Sequence, residues 1–207
     1  MAEIKEHEKK IAVIILAAGA SSRLGTPKQL LMYDGKTLLQ HMLQVAFDSS
    51  ARPIIVVLGA NENNIKRNMD FNIAHTVVNT DWQQGMASSI RCGIHALVEA
   101  DPFVEGVIIM LCDQPYVTSS LLNELVLAHQ KTGKPIVASS YNDTFGAPAL
   151  FHKNIFPELL QLKGDVGARS IIQQHTHEMD VVAFSKGDID IDTAADYQEL
   201  SKSTNKA

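Results

Sequence analysis

Ile11-Ala-Val-Ile-Ile-Leu16 is an unbroken apolar run. It lacks the alternation of a half-buried strand, and it fits a strand covered on both faces, as in parallel sheets. Similar runs recur at Ile54 to Leu58 and Val107 to Leu111, with a shorter one at Pro135 to Ala138. Ile73 to Val78 reads as a further strand. Helical patterns lie between these runs. Thr37 can cap a helix through about Phe47 that turns Leu38, Met42, Val45 and Ala46 toward one face. Met86 to Val98 carries the stripe Ile90, Ile94, Leu97 and Val98, and Thr118 to Gln130 carries Leu121, Leu122, Leu125 and Val126. Strands alternating with helices predict a three-layer α/β/α architecture around a mainly parallel sheet, with right-handed crossovers.

Length and charge narrow the class. The 207 residues suit a single domain, expected over 11–200, with a polar arm at 1–10 and a flexible tail at 201–207. A net charge of -5 argues against a general nucleic-acid binder, although a basic pocket can exist within an acidic protein. No apolar stretch approaches the ~20 residues of a membrane span. The charged start, Met1 to Lys10, has no apolar segment of a signal peptide. Cys92 and Cys112 form no CxxC pair and fit a reducing compartment, so a cytoplasmic location is expected.

The first strand leads into Leu16-Ala17-Ala18-Gly19-Ala20-Ser21-Ser22-Arg23-Leu24-Gly25-Thr26-Pro27-Lys28. Loops at the carboxyl ends of strands are where open α/β sheets bind ligands. The spacing is not G-x-G-x-x-G. It is not a P-loop either, because Leu24 stands where the second Gly would be. The chemistry still suits phosphate. Ala17, Ala18 and Gly19 allow close approach of backbone N–H groups. Ser21 and Ser22 add hydroxyls, and Arg23 and Lys28 add two positive charges of different shape. A solvated turn with two surface cations is the alternative for this stretch taken alone.

The pattern Leu16-Ala-Ala-Gly-x-Ser-x-Arg-x-Gly-x-x-Lys28 resembles the signature of nucleotidyltransferases with a Rossmann-like fold, and most closely the molybdenum cofactor cytidylyltransferase group. Further matches follow in order: Asn79-x-x-Trp82-x-x-Gly85-Met86-x-x-Ser89, Asp113-Gln114-Pro115, Gly146-Ala-Pro148, Gly164-Asp165-x-Gly167-Ala168-Arg169 and Asp190-Ile191-Asp192-Thr193-x-x-Asp196. The resemblance implies that Leu16, Ala17, Ala18, Gly19, Ser21, Ser22, Arg23 and Lys28 hold a nucleotide together with Asn79, Gly85 and Ser89. It assigns Gln114, Gly146, Pro148 and Arg169 to the acceptor. Arg169 could equally form a surface salt bridge.

Asp113 ends an apolar strand, where a carboxylate suits Mg²⁺, a hard cation that shares its oxygen ligands with phosphates. It could also simply shape the turn. The resemblance makes it a metal ligand. Asp188, Asp190 and Asp192 alternate with isoleucines, which in an extended segment puts three carboxylates on one side. By resemblance Asp190 is the second metal ligand, with Asp192 next. Asp192 could instead cap a helix starting near Thr193.

The implied reaction moves CMP from CTP onto the terminal phosphate of the molybdenum–molybdopterin cofactor and releases pyrophosphate, with Mg²⁺. That phosphate is already ionised at neutral pH, so no general base is required. Arg23, Lys28 and Asp113 would carry the chemistry by positioning and charge neutralisation. Guanylyl relatives usually show Leu-Ala-Gly-Gly, and the extra methyl of Ala18 is expected to narrow the pocket in favour of a pyrimidine. Two alternatives remain. One keeps the fold with a sugar phosphate or other phosphate acceptor. The other is a non-catalytic factor delivering the cofactor to a client molybdenum hydroxylase.

Overall fold

Every residue of β1 (Ile11–Ala17) is buried, because the strand feeds a core on each side. Val13, Ile15 and Ala17 join one apolar cluster, and Ala12, Ile14 and Leu16 join the other. In this computed structural model, which describes residues 10–204, the chain then runs through β2 (Met32–Tyr33), β3 (Lys36–Thr37), α1 (Leu38–Asp48), β4 (Ile54–Leu58), α2 (Glu62–Asn68), β5 (His75–Val78), α3 (Met86–Ala100), β6 (Gly106–Leu111), α4 (Ser119–Thr132), β7 (Ile136–Tyr141), β8 (Thr144–His152), α5 (Phe156–Gln161), α6 (Arg169–Gln174), β9 (Met179–Ala183) and α7 (Ala194–Thr204). The expected N-terminal arm lies outside the described residues except for Lys10, whose ammonium pairs with Asp101 at 3.2 Å.

One sheet has the order β5-β4-β1-β6-β8-β7-β9. Neighbours from β5 to β6 are parallel, as are β7 and β9. The sheet is mainly parallel, as expected, but β8 runs antiparallel to both β6 and β7. The reason is local. Only Asn142 and Asp143 join β7 to β8, with φ of 44° and 57°. Positive φ at both central residues is the tight hairpin geometry that matches strand twist. Helices α1, α2 and α4 cover one face through Met42, Ile65 and Leu125. Helices α3, α5 and α6 cover the other through Ile94, Leu159 and Ile172. The result is three layers.

The helix starts follow their sequence signals. Thr37 caps α1 with a capping box closed by Gln40, and Thr118 caps α4 through the Leu121 N–H. Helix α7 continues to Thr204, into the segment expected as a tail. A third cluster of Leu31, Leu38, Ile191 and Leu200 pins the segment before α7 against the β2–β3 hairpin. The Tyr197 hydroxyl adds a bond to the Met32 carbonyl at 3.0 Å. Among the described residues, no helix is long and apolar enough to cross a membrane.

Candidate active site

Strand order reverses at β1, which has β4 on one side and β6 on the other. Crevices for ligands open at such points, beyond the carboxyl ends of the strands. Here the crevice receives the loop after β1, the Asp113 turn after β6, and the segment 188–193 held by the third cluster.

The Lys28 ammonium is the hub. It lies 2.5 Å from Asp113 Oδ2 and 2.8 Å from Asp192 Oδ1, with only 14% of its side chain exposed. Arg23 reaches the other Asp192 oxygen at 3.0 Å. Burial alone would lower the Lys28 pKa, but the charge of Asp113 and hydrogen bonds to Asp113 and Asp192 override it and raise it. Asp192 is held below the usual carboxylate range, first by its Lys28 hydrogen bond. Asp113 Oδ1 is buried with no hydrogen-bond partner among the described residues. Part of Asp190 is open to solvent, yet desolvation by the surrounding chain and repulsion from Asp113 push its pKa up to about 6.

The Gly19–Gly25 loop is braced from within. Ser21 adopts φ 56°, and its hydroxyl accepts the Lys28 backbone N–H at 3.0 Å. Ser21 therefore shapes the loop, while Ser22 and Gly19 lie exposed on it. Gln29, which the sequence did not single out, is fully buried. Its amide donates to the carbonyls of Ala17 and Gly19 at 2.8 and 3.0 Å. With those carbonyls engaged inside, the chain turns around a fixed point. The available signal was a glutamine directly after the loop lysine.

Other expected residues have structural partners. Asn79 and Ser89 are buried. The Asn79 amide donates to Ser88 and Ser89 at 2.7 and 3.0 Å, which fastens the end of β5 to the start of α3. Gly85 has φ 90° and packs so tightly against Gly164 and Asp165 that a Cβ would meet Asp165 Oδ1 at 2.3 Å. Pro148 is buried within β8, where its carbonyl accepts the Ser139 hydroxyl at 2.6 Å. It shapes the strand. Ala18 is 5% exposed, and its methyl abuts Gly59, where a Cβ would lie 2.8 Å from both Ala18 Cβ and Trp82 Cβ. The methyl that was expected to narrow a base pocket is thus packed beside Gly59 and Trp82.

The aspartate row is also redistributed. Asp188 lies in a turn and accepts from the Asn142 amide at 2.6 Å. Asp192 does not cap α7: the Asp196 carboxylate accepts the N–H groups of Asp192 and Thr193 at 3.1 and 2.7 Å, and Thr193 accepts that of Asp196. Asp192 is thereby left to the two cations. Arg169 forms no ion pair among the described residues; it bonds the Thr144 hydroxyl. With Leu16, Gln114, Tyr141, Gly146 and Asp190 it lines a cleft of about 230 Å³. Cys112 beside Asp113 is buried, and its thiol is pushed up to about 12 by that burial, which makes it inert.

Residues 13–179 match the model of the MobA-like NTP transferase domain. The chain belongs to this family. Nicotine blue oxidoreductase of Paenarthrobacter nicotinovorans is 29% identical over 196 residues, covering 90% of this chain and 94% of that protein. Among solved structures, Rv0371c of Mycobacterium tuberculosis H37Rv superimposes with a TM-score of 0.81 at 32% identity, over 94% of this chain and 98% of that one. A manganese complex of the same Mycobacterium protein gives 0.79 at 31% identity, over 94% and 99%. The molecule is thus a MobA-like nucleotidyltransferase. Transferases of this family act on a nucleotide and a second small molecule.

Asp113 and Asp190 suit a divalent metal. One offers a buried, unpartnered oxygen, and the two are close enough for their charges to repel. Among the described residues there is no cluster of three or more metal-ligating side chains. Mg²⁺ and Mn²⁺ are commonly held by one or two carboxylates, with phosphate and water completing the shell.

Proposed function

We propose that this protein transfers CMP from CTP to the terminal phosphate of the molybdenum–molybdopterin cofactor, releasing pyrophosphate. The observation that carries the reading is the Lys28 ammonium seated between Asp113 and Asp192 beside the Gly19–Gly25 loop. The preference for CTP and for this acceptor rests on the motif likeness. The name of the Paenarthrobacter relative, an oxidoreductase, is why the test below includes redox turnover.

The exposed Gly19 backbone and the Arg23 and Lys28 cations receive the triphosphate. Lys28 follows the phosphates as they enter and neutralises charge on the α-phosphate and leaving pyrophosphate. A metal on Asp113 and Asp190 supplies further neutralisation of the phosphate oxygens. The acceptor lies in the cleft of Gln114, Gly146 and Arg169, with its ionised phosphate facing the α-phosphorus. The new P–O bond forms as the bond to pyrophosphate breaks, and no proton has to be removed. The protein contributes position and charge, terms each worth roughly 10²–10³ in rate per contact.

The test is pyrophosphate release with Mg²⁺ across CTP, GTP, ATP and UTP, each with molybdenum–molybdopterin, methylerythritol phosphate or a sugar phosphate. Oxidation and reduction of nicotine blue are followed in parallel. CTP with the molybdenum cofactor is expected to give the fastest release. Turnover confined to a sugar phosphate would replace the acceptor, redox turnover of nicotine blue without pyrophosphate would replace the reaction, and cofactor binding without release would favour a delivery role.

A further inference from the structure

Tyr141 ends β7 inside the cleft, and the sequence motifs did not single it out. Its ring is held in a slot made by two glycines. A Cβ on Gly146 would lie 2.1 Å from the Tyr141 hydroxyl oxygen, and one on Gly187 would lie 2.2 Å from its Cδ1. No ordinary side chain fits at either place without displacing the ring. The hairpin that carries Tyr141 is fastened on both sides. Asn142 bonds Asp188 at 2.6 Å, and Thr144 accepts from Arg169. The Gly187 carbonyl in turn accepts the Gln114 amide at 3.1 Å. Gly146, Gln114 and Arg169, which take part in this fastening, also border the cleft.

Its hydroxyl is different. No described residue forms a hydrogen bond with it, although the side chain is half-buried and shares the cleft with Arg169 and Asp190. A phenol is a donor at neutral pH. A rigid aromatic with a free hydroxyl binds at low entropic cost, because few rotamers are lost when the ligand arrives. The guanidinium of Arg169 nearby attracts an anion to the same place.

We propose that Tyr141 is an acceptor-binding residue, donating its hydroxyl to a phosphate oxygen of the acceptor beside Arg169. The proposal rests on the reading above that the acceptor occupies this cleft. Gly146 and Gly187 then serve to fix the direction of that donor, which gives a purpose to a glycine inside β8. A bulkier residue at either position turns the hydroxyl away without removing it.

The test is Tyr141→Phe, which keeps the ring in its slot and removes only the donor. Two readings are taken: the acceptor KM in pyrophosphate release, and the Kd of inorganic phosphate from ³¹P NMR titration of the protein loaded with CTP and Ca²⁺. One hydrogen bond to a charged oxygen corresponds to about a tenfold change. Phosphate Kd and acceptor KM are expected to rise by about that factor, with the CTP KM and melting temperature unchanged. Gly187→Ala is expected to reproduce the loss of phosphate affinity with the hydroxyl still present. An unchanged phosphate Kd in Tyr141→Phe overturns the proposal. If wild-type protein binds phosphate through Tyr141 but releases no pyrophosphate with molybdenum–molybdopterin, the assigned reaction fails and the Tyr141 site stands.

Discussion

Asp190 has its ordinary pKa of 3.8 pushed up to about 6, by desolvation first and the charge of Asp113 second. A carboxyl with a raised folded-state pKa binds its proton more tightly when folded. Its favourable contribution is complete below the unfolded pKa and is lost as pH rises through about 6. At pH 7 to 8 the metal-free protein therefore carries a penalty that Asp190→Asn removes. The variant is expected to melt higher than wild type at pH 8, with the gap closing toward pH 4. A scan of melting temperature against pH in chelator checks this, and an equal gap at both ends contradicts it. Lys28 makes the complementary case. Its ammonium occupies the carboxylates that would otherwise greet a cation. Lys28→Met should lose about 10²–10³ in turnover while binding Mn²⁺ more tightly in the absence of nucleotide. Electron paramagnetic resonance of free Mn²⁺ reads the second effect, and weaker binding would show that Lys28 does not compete with the metal.

At the level of elements, Gln29 joins the phosphate loop to the end of β1. Replacing it with leucine keeps roughly the volume but leaves the buried Ala17 carbonyl and the part-buried Gly19 carbonyl without this donor. An unsatisfied buried group costs about 1–3 kcal/mol. Gln29→Leu should lower the urea midpoint accordingly and raise the nucleotide KM more than the acceptor KM. Equal KM values with a lowered midpoint would make Gln29 a purely structural support. The elements themselves were legible where burial is simple. β1, β4 and β6 are covered on both faces and read as apolar runs. Thr37 and Thr118 announce α1 and α4. β8 escaped because Gly146 and Pro148 break its pattern, and its direction depends on a two-residue turn whose positive φ values the letters Asn-Asp only permit. β9 escaped because it is an edge strand and none of its five residues is buried. In the site, the loop and Asp113 were readable from their place at strand ends. The role of Asp192 was not: it is decided by Lys28, 164 positions away in the chain, and by Thr193 and Asp196 forming the cap that Asp192 could have filled.

The molecule as a whole brings its site together from the loop after β1, the turn after β6 and the segment before α7. Ion pairs join these three parts when no ligand is present. Asp113, Asp190 and Asp192 against Lys28 and Arg23 leave one net negative charge in the crevice above pH 6. A metal ion alone must displace an ammonium from its carboxylates. A nucleoside triphosphate alone brings further negative charge to carboxylates already in excess. Together they satisfy both sets: the metal takes the aspartates and the phosphates take Lys28 and Arg23. Metal and nucleotide should therefore bind synergistically. A ligand at 100 times its Kd stabilises a folded chain by ~2.7 kcal/mol. For a chain of this size that is a rise of roughly 5–10 °C in melting temperature. Mn²⁺ with CTP is expected to approach that shift, and Mn²⁺ alone or CTP in chelator to give only a small part of it. If either ligand alone produced the full shift, the Lys28–aspartate pairs would not be what holds the empty site closed to it. In Asp192→Asn the ammonium has only Asp113 to pair with, so Mn²⁺ by itself should stabilise less than it does in wild type, and the synergy with nucleotide should grow.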